Sequence, residues 1–280
     1  MLRSASIEPA QSSRQQLVHQ LRQLGLRPGD LVMVHASLKA LGPVEGGAEG
    51  TVAALREAVS PGGTLMAYVS WDRSPYEETL NGAVLSATAR EAWPAFDPNT
   101  AGTYRGFGLL NEFLCKVPGA VRSGHPDASM VAVGARAREV IGEHALGHAF
   151  GPGSPLERLI SSAGKVVALG SPLDALTVLH YAEAIADIPD KRRVSYEMPV
   201  LDDQGRKAWR RAEDFDSNGI LDCFAVNGMP DAVETIAREY VSQGRALSGR
   251  VGLAQCYLFD AQDLTGFGKE WLERNFGASR

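Results

Sequence analysis

The chain has 280 residues, with 28 basic and 33 acidic side chains and a net charge of −5. At 44% hydrophobic and 22% charged, its composition is that of a folded globular protein rather than a disordered one. An acidic balance without a basic stripe argues against nucleic-acid binding. No apolar run nears the ~18 residues that a membrane span needs. The three cysteines, Cys115, Cys223 and Cys256, are scattered and form neither a disulfide scaffold nor a zinc motif. The first nine residues lack a signal-peptide core, so a cytoplasmic protein without a metal is expected.

Residues 1–13 are polar and patternless and read as a flexible arm; 14–280 read as a single domain. Ser12 or Ser13 can cap a helix carrying Leu17, Val18, Leu21 and Leu24. Leu31 to Val34 is a continuous apolar run, the signature of a strand buried on both faces, and it ends at His35-Ala36-Ser37. After a glycine-rich stretch, a helix carries Val52, Leu55 and Val59. A second strand then runs from Thr64 to Ser70 and ends at Trp71-Asp72. Strand, helix and strand at this spacing predict a βαβ unit with parallel strands. Ser37 and Asp72 would then lie at neighbouring carboxyl ends, where open α/β sheets bind ligands.

Further along, a turn at 122–126 leads into Ser129-Met130-Val131-Ala132-Val133, and 165–169 reads as a third buried strand. Ser154-Pro155-Leu156-Glu157 has the form of a capping box with proline at the first helical position. Asp174 can start a helix to about Ala186. Acidic residues crowd the segment of about 190–225, and Gly252 to Phe259 is strand-like before a C-terminal helix. The fold class expected is α/β, with a mixed, largely parallel central sheet and flanking helices.

His180 is the ionisable residue with the best placement for chemistry. On its helix, Thr177, His180, Ala184 and Asp187 share a small, polar face beyond a buried strand. A histidine there can take a proton from a bound group, although position alone favours a solvated or core-satisfied histidine. Gly124-His125-Pro126 is a constrained turn able to offer N–H groups to a ligand, or simply to turn the chain. His144 and His148 lack a third ligand and read as structural. Three stretches, 22–27, 105–110 and 274–279, approach the pyrophosphate loop of the common N-acetyltransferase fold, and each fails at its final small residue. There is no Gly-x-Ser-x-Gly elbow.

Seven motifs occur in order. They are His35-Ala36-Ser37-Leu38-Lys39-Ala40-Leu41-Gly42, Ser70-Trp71-Asp72-Arg73-Ser74-Pro75-Tyr76, Gly102-Thr103-Tyr104-Arg105-Gly106-Phe107-Gly108, Arg122-Ser123-Gly124-His125-Pro126-Asp127-Ala128-Ser129, Gly151-Pro152-Gly153-Ser154-Pro155, Leu179-His180-Tyr181-Ala182-Glu183 and Asp216-Ser217-Asn218-Gly219-Ile220-Leu221-Asp222-Cys223-Phe224. Together they resemble the aminoglycoside 3-N-acetyltransferase family, above all its gentamicin-modifying members. The resemblance implies an α/β fold distinct from the common N-acetyltransferase fold. It implies acetyl-CoA as donor and the 3-amino group of 2-deoxystreptamine as acceptor, and hence antibiotic resistance.

The residues fit that chemistry. A polycationic drug needs carboxylates, which Asp72 and the 190–225 segment supply. Its amine must lose a proton before attacking a thioester, and His180 is the candidate base. The resemblance points to Glu213 as the carboxylate orienting it, with Glu183 as the alternative by helical proximity. Ser37, Leu38, Arg105, Gly124, His125, Pro126 and Ser129 are expected around the cofactor, and Asp72, Tyr76, Glu213 and Asp214 around the drug. No membrane or nucleic-acid partner is expected, and the assembly is a monomer or homodimer. Acetylation of another amine, or non-catalytic drug binding, are the rival functions.

Overall fold

The computed structural model describes residues 11–278. Nine strands occur among them: β1 (Leu31–Ala36), β2 (Thr64–Tyr68), β3 (Val121–Arg122), β4 (Met130–Gly134), β5 (Lys165–Leu169), β6 (Arg193–Leu201), β7 (Lys207–Phe215), β8 (Leu247–Val251) and β9 (Ala254–Asp260). Seven form one sheet in the order β3-β4-β2-β1-β5-β9-β8, while β6 and β7 pair as a separate hairpin. β1 is central and parallel to both β2 and β5. The outer pairings are antiparallel. Five strands therefore point one way, and only β4 and β9 run against them. The parallel β1–β2 pair, joined through the Gly47–Ala58 helix, is the expected βαβ unit.

Alternation along the strands divides the interior into two cores. Leu31, Met33, Val166 and Ala168 pack on one face with Leu179 and Ala182 of the Val178–Ile185 helix and with Leu264 and Leu272 of the Ala261–Phe276 helix. Val32, Val34 and Val167 pack on the other with Leu17, Leu21 and Leu55. A sheet covered on both faces needs the continuous apolar strands that the sequence shows.

Several local expectations are corrected. Residues 1–10 of the expected arm lie outside the described residues, but Ser12 bridges to Val44 and its amide donates to Pro43. Ser13 caps the first helix through a capping box with Gln16. At Ser154 there is no such box: its hydroxyl is buried without a partner, and Glu157 accepts from the Gly153 amide instead. Asp174 sits in a 3₁₀ turn before the helix rather than in its cap. The strand-like stretch before the last helix is the second arm of a hairpin, β8 turning at Gly252 into β9. Cys223 is exposed and Cys256 buried. No helix among the described residues is long and apolar enough to cross a membrane.

Candidate active site

The carboxyl ends of β1, β2 and β5 open into a cleft of about 1050 Å³. At one wall, His180 projects from the Val178–Ile185 helix. Its Nδ1 lies 2.7 Å from Oε2 of Glu183, three residues along the same helix. That spacing puts both side chains on one helical face. Glu183 is only 5% exposed, and the Phe150 ring lies 5.0 Å from the imidazole, so the pair is shielded from water. Burial disfavours the imidazolium. The Glu183 carboxylate, by charge and hydrogen bond, outweighs this and holds the His180 pKa above the ordinary histidine value. With Nδ1 taken by Glu183, Nε2 remains for a ligand.

Glu213 does not perform this role. It is exposed on β7, where strand alternation turns Asp214 inward and Glu213 outward. The helix-local carboxylate is the one that reaches His180. The inward Asp214 is also not free to meet a drug in the main cleft. Its Oδ1 accepts from the Ala149 amide at 3.0 Å and its Oδ2 from the Tyr196 hydroxyl, with His125 Nε2 3.9 Å away. Burial would raise its pKa, but His125, Tyr196 and the Ala149 amide together hold it low. Asp214 lines a smaller cavity that His180 also borders, with Glu183 and Asp216.

Asp72 and Tyr76 do line the cleft. Asp72 follows β2, and the Gly102 backbone lies so close that an added Cβ would fall 2.2 Å from its carboxylate. Arg122 braces this corner, donating to the carbonyls of Val69, Ser70, Ala101 and Gly102. Burial and the Asp216 charge push the Tyr76 phenol above its usual pKa, so it is a neutral hydroxyl. The cleft also gathers carboxylates the sequence reading left unassigned: Glu77, Asp127, Asp174 and Asp231. Burial raises Asp127 above the carboxylate norm, and Ser74 donates to it at 2.6 Å. Asp174 is raised by burial and by the neighbouring Asp231 and Glu234 charges. Asp72, Glu77, Asp127, Asp174 and Asp231 thus line the cleft with Lys39, the one lysine or arginine among the described lining residues. Such a surface favours cations.

Of the residues expected at the cofactor, Ser37 and Leu38 line the cleft. Ser37 follows β1, its amide donates to the Leu169 carbonyl and its hydroxyl accepts from the Ala40 amide, so the chain turns sharply at the cleft floor. Gly124, His125, Pro126 and Ser129 are not in the lining. Both His125 nitrogens are used inside the protein: Nδ1 accepts from the Ala128 amide and Nε2 meets the Tyr196 hydroxyl, each at 3.0 Å. The Pro126 carbonyl holds the Trp71 amide, and the Ser129 hydroxyl accepts from Arg122. This turn supports the Trp71-Asp72 wall from behind. Arg105 is largely exposed, pairs with Glu112 and lies outside the lining, although its neighbours Tyr104 and Gly106 belong to it. His144 is structural, bonded to Ser123 and to the carbonyls of His148 and Ala149.

Residues 33–273 match the family described as aminoglycoside 3-N-acetyltransferase. The chain is similar to an aminoglycoside N(3)-acetyltransferase III from Salmonella sp., 64% identical over 267 residues that cover 95% of this chain and 93% of that one. Among solved structures, it is similar to AAC-VIa bound to sisomicin, at 50% identity and a TM-score of 0.93, covering 96% of this chain and all of that one. It is also similar to AAC-IIIb in binary complex with CoASH, at 40% identity and a TM-score of 0.89, covering 97% of this chain and all of that one. With the match spanning most of its length, the chain belongs to the aminoglycoside 3-N-acetyltransferase family.

Proposed function

We propose that this protein acetylates the 3-amino group of the 2-deoxystreptamine ring of aminoglycosides such as gentamicin, using acetyl-CoA, and so confers antibiotic resistance. The observation that carries this reading is a buried His–Glu pair opening on a cleft with five carboxylates and one lysine. A polycation binds where carboxylates crowd, and its amine must be deprotonated there before it attacks.

In this reading His180 Nε2 takes a proton from the bound ammonium while Glu183 stabilises the imidazolium through Nδ1. The amine nitrogen then attacks the thioester carbon and the C–S bond breaks. His180 returns its proton to the departing thiolate, and the nitrogen's surplus proton leaves to water. Transfer is direct. Burial raises the Cys115 and Cys256 thiols above their usual pKa, which suppresses the thiolate an acyl-enzyme would need. Ser37 and Leu38, with Arg105 nearer the rim, are assigned to the donor, and Asp72 and Tyr76 to the drug.

Thiol release from acetyl-CoA with and without gentamicin tests the reading. Drug-dependent release, with no stoichiometric acetyl adduct by mass spectrometry of enzyme plus donor alone, is expected. Drug binding without release would make the protein a sequestering one, and release only with other amines would move the substrate class.

A further inference from the structure

Two polar side chains in the cleft have no partner. His35 Nε2 and Ser171 Oγ are both buried without a hydrogen bond. Both residues line the same cleft as His180. Their placement follows from the central sheet. Leu31 and Met33 of β1 point into the core that includes the His180 helix, and alternation sends His35 to that same face. Register pairs Ala36 with Leu169, so His35 and Ser171 stand at the ends of adjacent parallel strands. Between them, Gly170 adopts a φ of +63° and lies where a Cβ would meet Ala40 and Ala254 at 2.7 Å. The backbone is thereby fixed where it delivers Ser171 to the cleft.

A buried polar group left unpaired by its own protein is an unmet demand that a ligand can satisfy. Here two such groups line the same cleft as the base. The carboxylates of the cleft answer to the drug's ammonium groups. The thioester carbonyl, which becomes an oxyanion when the amine attacks, needs hydrogen-bond donors, and the Gly124-His125-Pro126 turn, outside the cleft lining, does not supply them. We propose that His35 Nε2–H and Ser171 Oγ–H receive the acetyl carbonyl oxygen and stabilise the tetrahedral oxyanion beside His180. This rests on the acetyl-transfer reading above and adds two catalytic residues to it.

The chemistry closes without proton exchange at either donor. As the N–C bond forms, the carbonyl π pair moves to oxygen and is held by the two hydrogen bonds. It returns as the C–S pair leaves on sulfur. Burial and the neighbouring His180 push His35 down to about 4, so it stays neutral at working pH. A neutral imidazole donates one N–H without placing a second cation beside the base. The proposal requires the His35 proton on Nε2.

Steady-state kinetics on Ser171→Ala, His35→Asn and the double variant test it. The paired binding measurement uses a CoA-linked trifluoromethyl ketone, whose hydrate mimics the tetrahedral centre, and the plain methyl ketone. Loss of one donor should lower kcat by about 10²–10³-fold. The wild-type preference for the hydrated ketone should shrink in parallel. KM for both substrates and the His180 limb of the pH profile should hold. Ser171→Ala removes only an unpaired hydroxyl and so should keep the fold even if the His35 variant does not. Unchanged kcat and unchanged ketone preference in Ser171→Ala and a folded His35→Asn would overturn the assignment. So would a loss confined to KM for the drug, which would place the two donors on the aminoglycoside. Failure of the parent reading looks different: the wild type itself would release no thiol with any aminoglycoside.

Discussion

Among the described residues, two histidines lie beside carboxylates, His180 by Glu183 and His125 by Asp214, and they differ in one respect that decides what each can do. His180 spends Nδ1 on Glu183 and keeps Nε2 for the cleft. His125, near Asp214 through Tyr196, spends both nitrogens inside the protein and lies outside the cleft lining. A ring that must move a proton needs one nitrogen free to meet a ligand, whereas a ring bonded at both nitrogens is a fastener. Proximity to a carboxylate does not separate the two sites; the unoccupied nitrogen does.

The largest effect expected is on His180. His180→Ala should lower kcat at least about a hundredfold, the usual scale for a general base, with an unchanged circular dichroism spectrum. A folded variant with wild-type kcat would put the base elsewhere. His125→Asn should do the reverse. It leaves the Ala128 amide and the Tyr196–Asp214 pair short of a partner, costing about 1–3 kcal/mol of stability by equilibrium unfolding, while kcat below the unfolding transition stays within a few-fold. A catalytic collapse in a stable His125 variant would break the contrast.

A smaller effect sharpens the picture of the cleft. Asp72→Asn should weaken aminoglycoside binding by roughly tenfold or more, about the worth of one charge-assisted hydrogen bond, and leave acetyl-CoA affinity nearly unchanged by calorimetry. Equal losses for both ligands would indicate a folding defect instead. The smallest effect belongs to Glu213→Gln. An exposed carboxylate away from any such feature should change stability by no more than about 0.5 kcal/mol and leave the pH profile in place. A displaced profile there would restore Glu213 as a partner of His180.

The sequence shows which parts of this architecture are local and which are not. β1, β2 and β5 are legible because strands buried on both faces are continuous apolar runs, and the polar face carrying His180 is legible from helical spacing. Glu183 is equally legible at three residues' distance, whereas the family resemblance, with its acids after residue 190, points to Glu213. The β6–β7 hairpin explains why that crowding misleads. Val194, Tyr196 and Met198 alternate inward, and Asp202 to Gly205 turn the chain, so neighbouring acids on β7 face opposite ways. That alternation was a readable signal. The meeting of Asp72, Asp127, Asp174 and Asp231 was not, since only the crossover topology brings those distant positions together. Likewise, glycine and proline around His125 announce a rigid turn but not which side of it faces a ligand.

On this reading Glu183 sets the proton affinity of His180. An NMR titration of the His180 imidazole in the free protein and in Glu183→Gln tests it most directly. In the native protein the midpoint should lie above the ordinary value of 6.5, because the carboxylate favours the imidazolium more than burial opposes it. In Glu183→Gln burial acts without that charge, so the midpoint should fall below 6.5, and the acid limb of kcat/KM should move to lower pH with it. The same midpoint in both proteins, or a native midpoint below 6.5, would contradict the account.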